Sequence, residues 1–573
     1  MKKQTKIISV CMALALAAPA FSGCKRGGGS SLPTDKTIIF YQNYDCGYGS
    51  EYIEETCKKF AEAVKDVSYE EGKTGVYFEP YTSKTDATGK ELVNSLSVNE
   101  NYIYFTEFTM PQMLKNSGYV MDISSWLNET SSTPGASRFA EKTSIKERMY
   151  DSWRDYVTET DGSMYCIPLF ESTEVFTYDK DLCESKKLYI AEGSTDEKLI
   201  FVKSPAQKKQ KGVDGIAGTE DDGLPETYAQ LYLWFNAMKT SGVKPMTWSG
   251  MFKFHIDNTL QNYWADFEGP ENVKRCYTFD GGSDSTLIDT VDENGNITYL
   301  PPTAITTENG YMVQRQEGRY RALSVAKKIA ENANDWVNST SFLESESHTL
   351  SQATYINSRF TESPIMLFAH GSYWEAEATP VFKNYESQKS GKADRHFGVL
   401  PIPKYSRSEV GKATTVVSDS STAMFVKSGL TGGVLDAVKD FVIYFNNQEN
   451  MGLQNKYSAS PRPFTYELSD ELKATMTDYE ISLYDFYKAG EKKNVVYTAA
   501  RNDFFMANFD EMHKRQWVFA SKYKSNSSTV SEESVVAFKN EPNVTLKQYF
   551  DGLYNRFTAD DYAVWKTMLR KIG

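Results

Sequence analysis

The densest run of groups able to do chemistry is Gly212-VDGIAGTEDDGLP, where Asp214, Glu220, Asp221 and Asp222 stand among glycines. Carboxylates on so pliable a loop could wrap a hard cation such as calcium, which takes oxygen ligands. The stretch lacks EF-hand spacing and that motif's closing glutamate, so an exposed acidic turn ahead of a helix beginning near Pro225 accounts for the same residues. Asp292-ENGN has a similar composition, but its glycine is misplaced for a calcium loop, and Asn294-Gly295 between strand formers reads as a hairpin turn. Catalytic constellations are missing from the sequence: there is no HExxH, no GxSxG and no phosphate-binding P-loop, and the five histidines show no ligand spacing. Acids are abundant enough to supply the carboxylate pair of a glycoside hydrolase, so their presence discriminates nothing.

Aromatic residues make up 14% of the chain, 37 of them tyrosines. Such rings are ordinary core material, yet on a secreted protein they also suit sugars, whose C–H faces stack on aromatic faces while hydroxyls need polar partners. Secretion is read from residues 1–23, where a basic start precedes an apolar run from Ile7 to Phe21 and small residues lead to Cys24. That run is too short for a membrane span. Phe21-Ser-Gly-Cys24 is similar to a bacterial lipobox, whose cysteine is acylated and becomes the first residue, although Phe21 replaces the usual leucine. An ordinary cleaved signal with a chance cysteine is the alternative. Lys25-RGGGSSLP then reads as a flexible leash.

Loss of Lys2, Lys3 and Lys6 with the signal moves the formal net charge from −13 to −16. That excess argues against nucleic acid, whose phosphates demand clustered cations. Besides Cys11 and Cys24 the cysteines are Cys46, Cys57, Cys166, Cys183 and Cys276, an odd number without CxxC. A disulfide scaffold is not expected, and at least one thiol is free.

These groups need a scaffold, and a mature chain of about 550 residues exceeds one domain and is expected to build two. Thr37-IIFY reads as a strand, Asn43 to Ser50 as a turn containing Asp45, and Ile53, Cys57, Phe60 and Val64 recur at helical spacing. Tyr102-IYF is another strand, followed by a loop and a helix stopped at Gly118. Tyr165-CIPLFESTEVFTYDKDL is extended and broken by Pro168, and Leu224-PETYAQLYLWFNAMK carries an amphipathic stripe. Pro364-IMLFAHGSYWEAEA reads as a buried strand running into Gly371, Phe397-GVLPIPKY as an extended segment, and Val434-LDAVKDFVIYFNN as a helix. Thr545-LKQ and Thr558-ADD look like capping boxes in a helical tail. No repeat of solenoid length is present.

Six of these segments, in this order, resemble the family 1 extracellular solute-binding proteins of carbohydrate ABC transporters. They are Ile39-FYQNYDCGYGSEYIEETCKKFAE, Tyr104-FTEFTMPQMLKNSGYVMDIS, Tyr165-CIPLFESTEVFTYDKDL, Ile365-MLFAHGSYW, Phe397-GVLPIPKY and Val434-LDAVKDFVIYFNNQEN, covering nearly the whole mature chain. The resemblance implies an α/β, two-lobed periplasmic-binding-protein-like fold with a hinge, an inter-lobe cleft and a helical C-terminal tail. Residues 37–168 with 401–450 would form the first lobe, and 169–400 with 451–573 the second lobe and tail. Residues 24–36 are the lipidated cysteine and linker. In this family the turn after the first strand faces the cleft, which makes Asp45, with Tyr44 beside it, a ligand contact; an N-cap for the following helix is the plainer role.

By the same carry-over, Thr106 and Glu107 are polar contacts from the first lobe, and Glu171 and Ser172 follow the crossover. Gly371-Ser-Tyr373-Trp374 matches a glycine followed by a stacking aromatic, with Tyr373 in the family position and Trp374 one later. Trp248 and Trp264 are further aromatics for which packing serves as well. The implied protein is a lipid-anchored receptor on the extracellular face of the cell membrane. It would bind a mono- or oligosaccharide and pass it to membrane permease subunits, with no required cofactor beyond calcium if the acidic loop binds it.

Two rivals remain at this level. A secreted glycoside hydrolase on a (β/α)₈ barrel needs eight alternating units that the sequence does not show. A helical glycan-binding surface lipoprotein conflicts with the strands at Thr37-IIFY and Phe397-GVLPIP. If Cys24 carries the anchor, Cys24→Ala should move the protein from the membrane pellet to the soluble fraction with its circular dichroism unchanged; a variant still firmly in the pellet refutes the lipobox reading.

Overall fold

The computed structural model describes residues 32–44, 47–82, 89–106, 111–388, 396–418, 422–488, 493–497, 504, 507–508, 533–559 and 562–571. Residues 1–31, with the signal and Cys24, lie outside the described residues, as do Asp45, Cys46 and Glu107. In chain order the first strands are β1 Thr37–Asn43, β2 Val76–Thr82, β3 Ile103–Thr106, β4 Ile167–Pro168, β5 Glu174–Asp179 and β6 Lys244–Thr247. Four short ones follow: β7 Ser283–Asp284, β8 Ile288–Val291, β9 Ile297–Tyr299 and β10 Thr303–Ala304. The last are β11 Ile365–Gly371, β12 Phe397–Val399, β13 Thr414–Ser418, β14 Ala423–Val426 and β15 Lys493–Tyr497.

Two sheets organise the chain. The first runs β2-β1-β3-β14-β4 and the second β12-β5-β11-β6. In the first, β1 lies parallel to β2 and β3, while β14 runs antiparallel to β3 and β4. Helix Glu51–Ala63 covers it with the face Tyr52, Ile53, Cys57 and Phe60, as the spacing predicts. Every residue of β11 is buried, because it lies centrally between β5 and β6 with packing on both faces. Helix Phe254–Thr278 crosses this sheet and is interrupted where Gly269 turns to φ +76° ahead of Pro270, whose ring cannot continue a regular helix. The sheets exclude the all-helical alternative.

Local readings match closely. Gly118 has φ +73° at the end of helix Pro111–Ser117, a conformation glycine adopts without steric cost. β8 and β9 form the hairpin around Asn294-Gly295, its turn held by Asp292 Oδ1 accepting from Asn294 N and Asn296 N. Thr545 and Gln548 form a capping box for helix Leu546–Ala559. Thr558, read as a second cap, instead falls inside that helix. Cys57, Cys166, Cys183 and Cys276 are buried free thiols.

Each sheet has its own hydrophobic core, and among the described residues the chain passes between the cores three times. The first passage is Leu169–Thr173, linking β4 to β5. The second lies at 418–422 rather than at Pro401, since Ile402, Val416 and Val417 pack in the second core. Residues 451–468, expected with the second lobe, return to the first: Met451, Phe464, Tyr466 and Leu468 all belong to its core. The chain then crosses again, reaching the second core by Tyr479. Helix Gln448–Ser458 packs on helix Glu51–Ala63; its buried Gln454 donates to Phe445 O, and its buried Asn455 accepts from the Tyr466 hydroxyl.

The first two passages are bonded to each other. Leu169 N donates to Thr422 O at 3.1 Å, Phe170 N to Thr422 Oγ1 at 3.2 Å and Ser172 N to Ser418 Oγ at 3.4 Å, while Glu171 N donates to Pro461 O at 2.9 Å. Beside them the fully buried Arg462 donates to Pro168 O at 3.1 Å, to Asn446 Oδ1 at 2.7 Å and to Gln454 Oε1. Burial without a carboxylate partner pushes its guanidinium down to about 9. Among the described residues, no helix is long and apolar enough to cross a membrane.

Candidate functional site

The seam between the lobes is built where strands end. On the first-lobe side β1 delivers Asn43 and Tyr44, whose N–H donates to Phe105 O at 3.0 Å, so the ends of β1 and β3 stay together. Asn43 is buried and its Oδ1 accepts no hydrogen bond. Thr106, at the end of β3, donates its hydroxyl to Ala423 O at 3.3 Å and is buried in the sheet. On the second-lobe side β11 ends in Gly371 and passes Tyr373 and Trp374.

Those two rings go to opposite places. Trp374 is fully buried in the second core, edge-on to Phe368 at 5.4 Å and to Phe397 at 5.1 Å. Tyr373 is half-buried and packs against the first core, its ring centroid 5.3 Å from that of Tyr48. Two glycines make room for it. A Cβ on Gly371 would stand 2.5 Å from the Tyr373 ring and one on Gly47 2.8 Å, both closer than real contacts allow. Tyr48 stacks in turn on Phe170 of the first passage at 4.8 Å.

Glu171 sits on that passage with no exposed surface. Its Oε1 accepts from Trp153 Nε1 at 2.8 Å, and no donor among the described residues closes a hydrogen bond on Oε2. Burial raises its carboxyl from the ordinary 4.5 to about 7, against the lesser pull of the Ser418 hydroxyl and the Trp153 indole. Ser172, also buried, bonds the second passage through its backbone.

Trp248 is a core residue of the second lobe, edge-on to Phe342 at 5.5 Å, and Trp264 is buried there too, donating to Gln316 Oε1 at 2.8 Å. The acidic loop spends its oxygens on itself. Asp214 Oδ1 accepts from Ile216 N at 2.7 Å, Asp222 Oδ2 from Gly218 N at 2.7 Å, and Asp221 from both Thr219 Oγ1 at 2.7 Å and Asp214 N at 3.2 Å. Glu220 pairs with Lys180 at 2.7 Å. Among the described residues no three His, Cys, Asp or Glu side chains come together as a group that could hold a metal ion, and Asp214, Asp221 and Asp222 cap turns of their own loop.

Sequence spacing missed a buried cluster behind Tyr373. Glu174, the first residue of β5, meets His255 Nδ1 at 2.9 Å; His255 stacks on His370 with centroids 4.2 Å apart. Among the described residues His370 Nε2 has no hydrogen-bond partner; it lies 3.9 Å from Glu377 Oε2, and Glu377 Oε1 lies 3.7 Å from His348 Nε2. Gln352 donates to Glu377 Oε2 at 2.5 Å. Three of the chain's five histidines converge here from separate elements, and only the tertiary fold carries that signal. Burial, with His348 adding to it, holds His255 at about 3, and burial holds His370 well below the usual imidazole range, so both rings are neutral at physiological pH.

No family model and no curated protein matches the chain. Solved structures do. A chitin oligosaccharide binding protein superposes with a TM-score of 0.50 at 12% identity, over 94% of this chain and all of that one. The binding protein RafE in complex with raffinose superposes with a TM-score of 0.50 at 11% identity, over 91% of this chain and 99% of that one. The likeness establishes the fold, an α/β architecture of two lobes shared with solute-binding proteins.

The two rings should separate by mutation. Trp374→Ala empties a core site and is expected to lose about 3–5 kcal/mol of stability, read as a large fall in melting temperature. Tyr373→Ala should melt near wild type and instead lose on the order of 1–3 kcal/mol of ligand affinity if its ring stacks on the ligand, by analogy with base stacking on aromatic side chains. Loss of stability in Tyr373→Ala equal to that in Trp374→Ala removes Tyr373 from the site.

Glu171 generates a pH prediction. Its folded pKa of about 7 exceeds the ordinary 4.5, so the folded state holds a proton that the unfolded chain has released. Its contribution to stability is present below about 4.5 and is lost as pH rises through about 7. Glu171→Gln keeps the acceptor for Trp153 without the charge. It should match wild type near pH 4 and exceed it above pH 7 by up to roughly 3 kcal/mol in denaturant melts; a constant difference at all pH contradicts the assignment.

Proposed function

We propose that this protein is the lipid-anchored, extracellular substrate receptor of an ABC importer, capturing a mono- or oligosaccharide between its lobes and handing it to membrane permease subunits. The observation that carries the reading is the seam itself: Tyr373 from one lobe reaches Gly47 and Tyr48 of the other, beside the buried Glu171 on the connecting passage. An aromatic face with nearby carboxylate acceptors is what a sugar ring requires, apolar C–H surface on one side and hydroxyls to be bonded on the other. Further support comes from the two neighbours named above, one called after chitin oligosaccharides and the other solved with raffinose.

Capture follows from the connections. Ligand touching both lobes stabilises the closed arrangement by whatever contacts the open one lacks, and the passage at 169–173 is where backbone rotation lets the lobes part. The closed form is what a permease would recognise. Cys24, Asp45 and Glu107 keep the roles expected from sequence, as anchor and as first-lobe contacts. A hydrolase finds less support, since the mixed sheets of five and four strands are not an eight-unit barrel.

A thermal-shift screen against a glycan panel tests the reading. A ligand at a hundred times its dissociation constant should add about 2.7 kcal/mol of stability, and small-angle scattering with that ligand should show a smaller radius of gyration. A panel without a stabilising sugar, or turnover of a bound sugar into shorter products, overturns it.

A further inference from the structure

We infer that Glu377, His370 and Tyr373 form a seat for a protonated amine, so that the sugar held at this seam is an amino sugar with a free ammonium group. The inference rests on the carbohydrate-receptor reading above and narrows its ligand class.

The first support is a carboxylate that, among the described residues, no lysine or arginine pairs with. Glu377 lies on the second-lobe face of the seam with its side chain 22% exposed, and its Oε1 comes within 3.7 Å of the position of a Cβ on Gly47 across the seam. Its one close donor is the neutral amide of Gln352. His348 at 3.7 Å and His370 at 3.9 Å stand beyond hydrogen-bond distance. Among the described residues no lysine or arginine lies within ion-pair distance of Glu171, Glu174 or Glu377, whose ionic contacts are to histidines alone. Burial, the largest cause, raises the Glu377 carboxyl against the opposing pull of His348 and of the Gln352 amide.

The second support is independent of charge. His370 is 1% exposed, and its Nε2 is left without a partner. With Nδ1 protonated and facing Gly371 O at 3.5 Å, Nε2 is an acceptor. Glu377 Oε2 and His370 Nε2, 3.9 Å apart, can both accept from one tetrahedral nitrogen. The Tyr373 ring stands 5.9 Å from His370 at an interplanar angle of 81°. A cation there gains from the carboxylate more than a hydroxyl does, and it gains further if the face of the Tyr373 ring is turned to it. The Glu174–His255 pair behind His370 fixes its ring by stacking, which keeps the acceptor aimed.

The test uses the full chain and matched sugars differing at one substituent: glucosamine, galactosamine and mannosamine, each with its N-acetylated and its 2-hydroxyl counterpart, and the corresponding β-1,4-linked dimers, titrated at pH 7. At least one free amine should bind about tenfold or more tightly than both of its counterparts. Glu377→Gln should bring that ratio to about 1, and added salt should narrow it. Because the ratio is measured first in the wild-type protein, the result does not depend on the variant folding. Equal or tighter binding of the N-acetylated or hydroxyl sugars overturns the amine seat and leaves the carbohydrate receptor standing. Absence of binding by any of these sugars, together with a silent glycan panel, overturns both.

Discussion

The passage from Pro168 to Thr173 is polar backbone held at full burial, and the rest of the molecule is arranged to satisfy it. A buried N–H or C=O without a partner costs as much as a lost hydrogen bond, so the passage exists only because other segments come to it. Thr422 and Ser418 supply acceptors from the second passage, Pro461 supplies one from the third excursion of the chain, and Arg462 supplies the donor for Pro168 O. Among the described residues Arg462 has no counter-ion; amide oxygens, a carbonyl and the Phe445 and Phe464 rings surround its guanidinium. This is why residues 451–468 belong to the first lobe: they close the polar bonds of a connection that neither sheet could close alone.

A second consequence concerns the seam. With three peptide connections the lobes can move against each other only where those bonds permit, and the surfaces they present are set by strand ends. Trp374 and Tyr373 are neighbours in sequence, yet one anchors the turn in the second core while the other is pushed out to meet the first. Gly371 and Gly47 make this possible by removing the Cβ atoms that the Tyr373 ring would otherwise strike. Anchor and probe are thus one device, and the depth of Trp374 in its core fixes how far Tyr373 reaches.

Behind the ring, burial converts ordinary side chains into unusual ones. His255 and His370 can stack at 4.2 Å because both are neutral; two imidazolium rings at that distance would repel strongly in so dry a place. Glu171, Glu174 and Glu377 are all pushed upward by burial. Among the described residues these acids have no lysine or arginine partner, and their ionic contacts are to histidines.

By itself the sequence determined the local pieces, because period and punctuation are properties of neighbours along the chain. The strand and helix at Thr37 to Val64, the stop at Gly118, the hairpin at Asn294-Gly295 and the buried strand ending at Gly371 all follow from alternation, helical spacing and glycine. Order among six segments carried the two-lobed fold. What only tertiary structure decided are matters of long-range partnership. The second passage moved from Pro401 to 418–422 because Val416 and Val417 found the other core, and the aspartates of the acidic loop accept hydrogen bonds from their own backbone. His255, His370 and Glu377 lie more than a hundred residues apart at their extremes, with no period to connect them. Their meeting depends on the antiparallel register of β5 with β11, which sets Gly371 opposite Glu174, and a register between distant strands leaves no trace in either one.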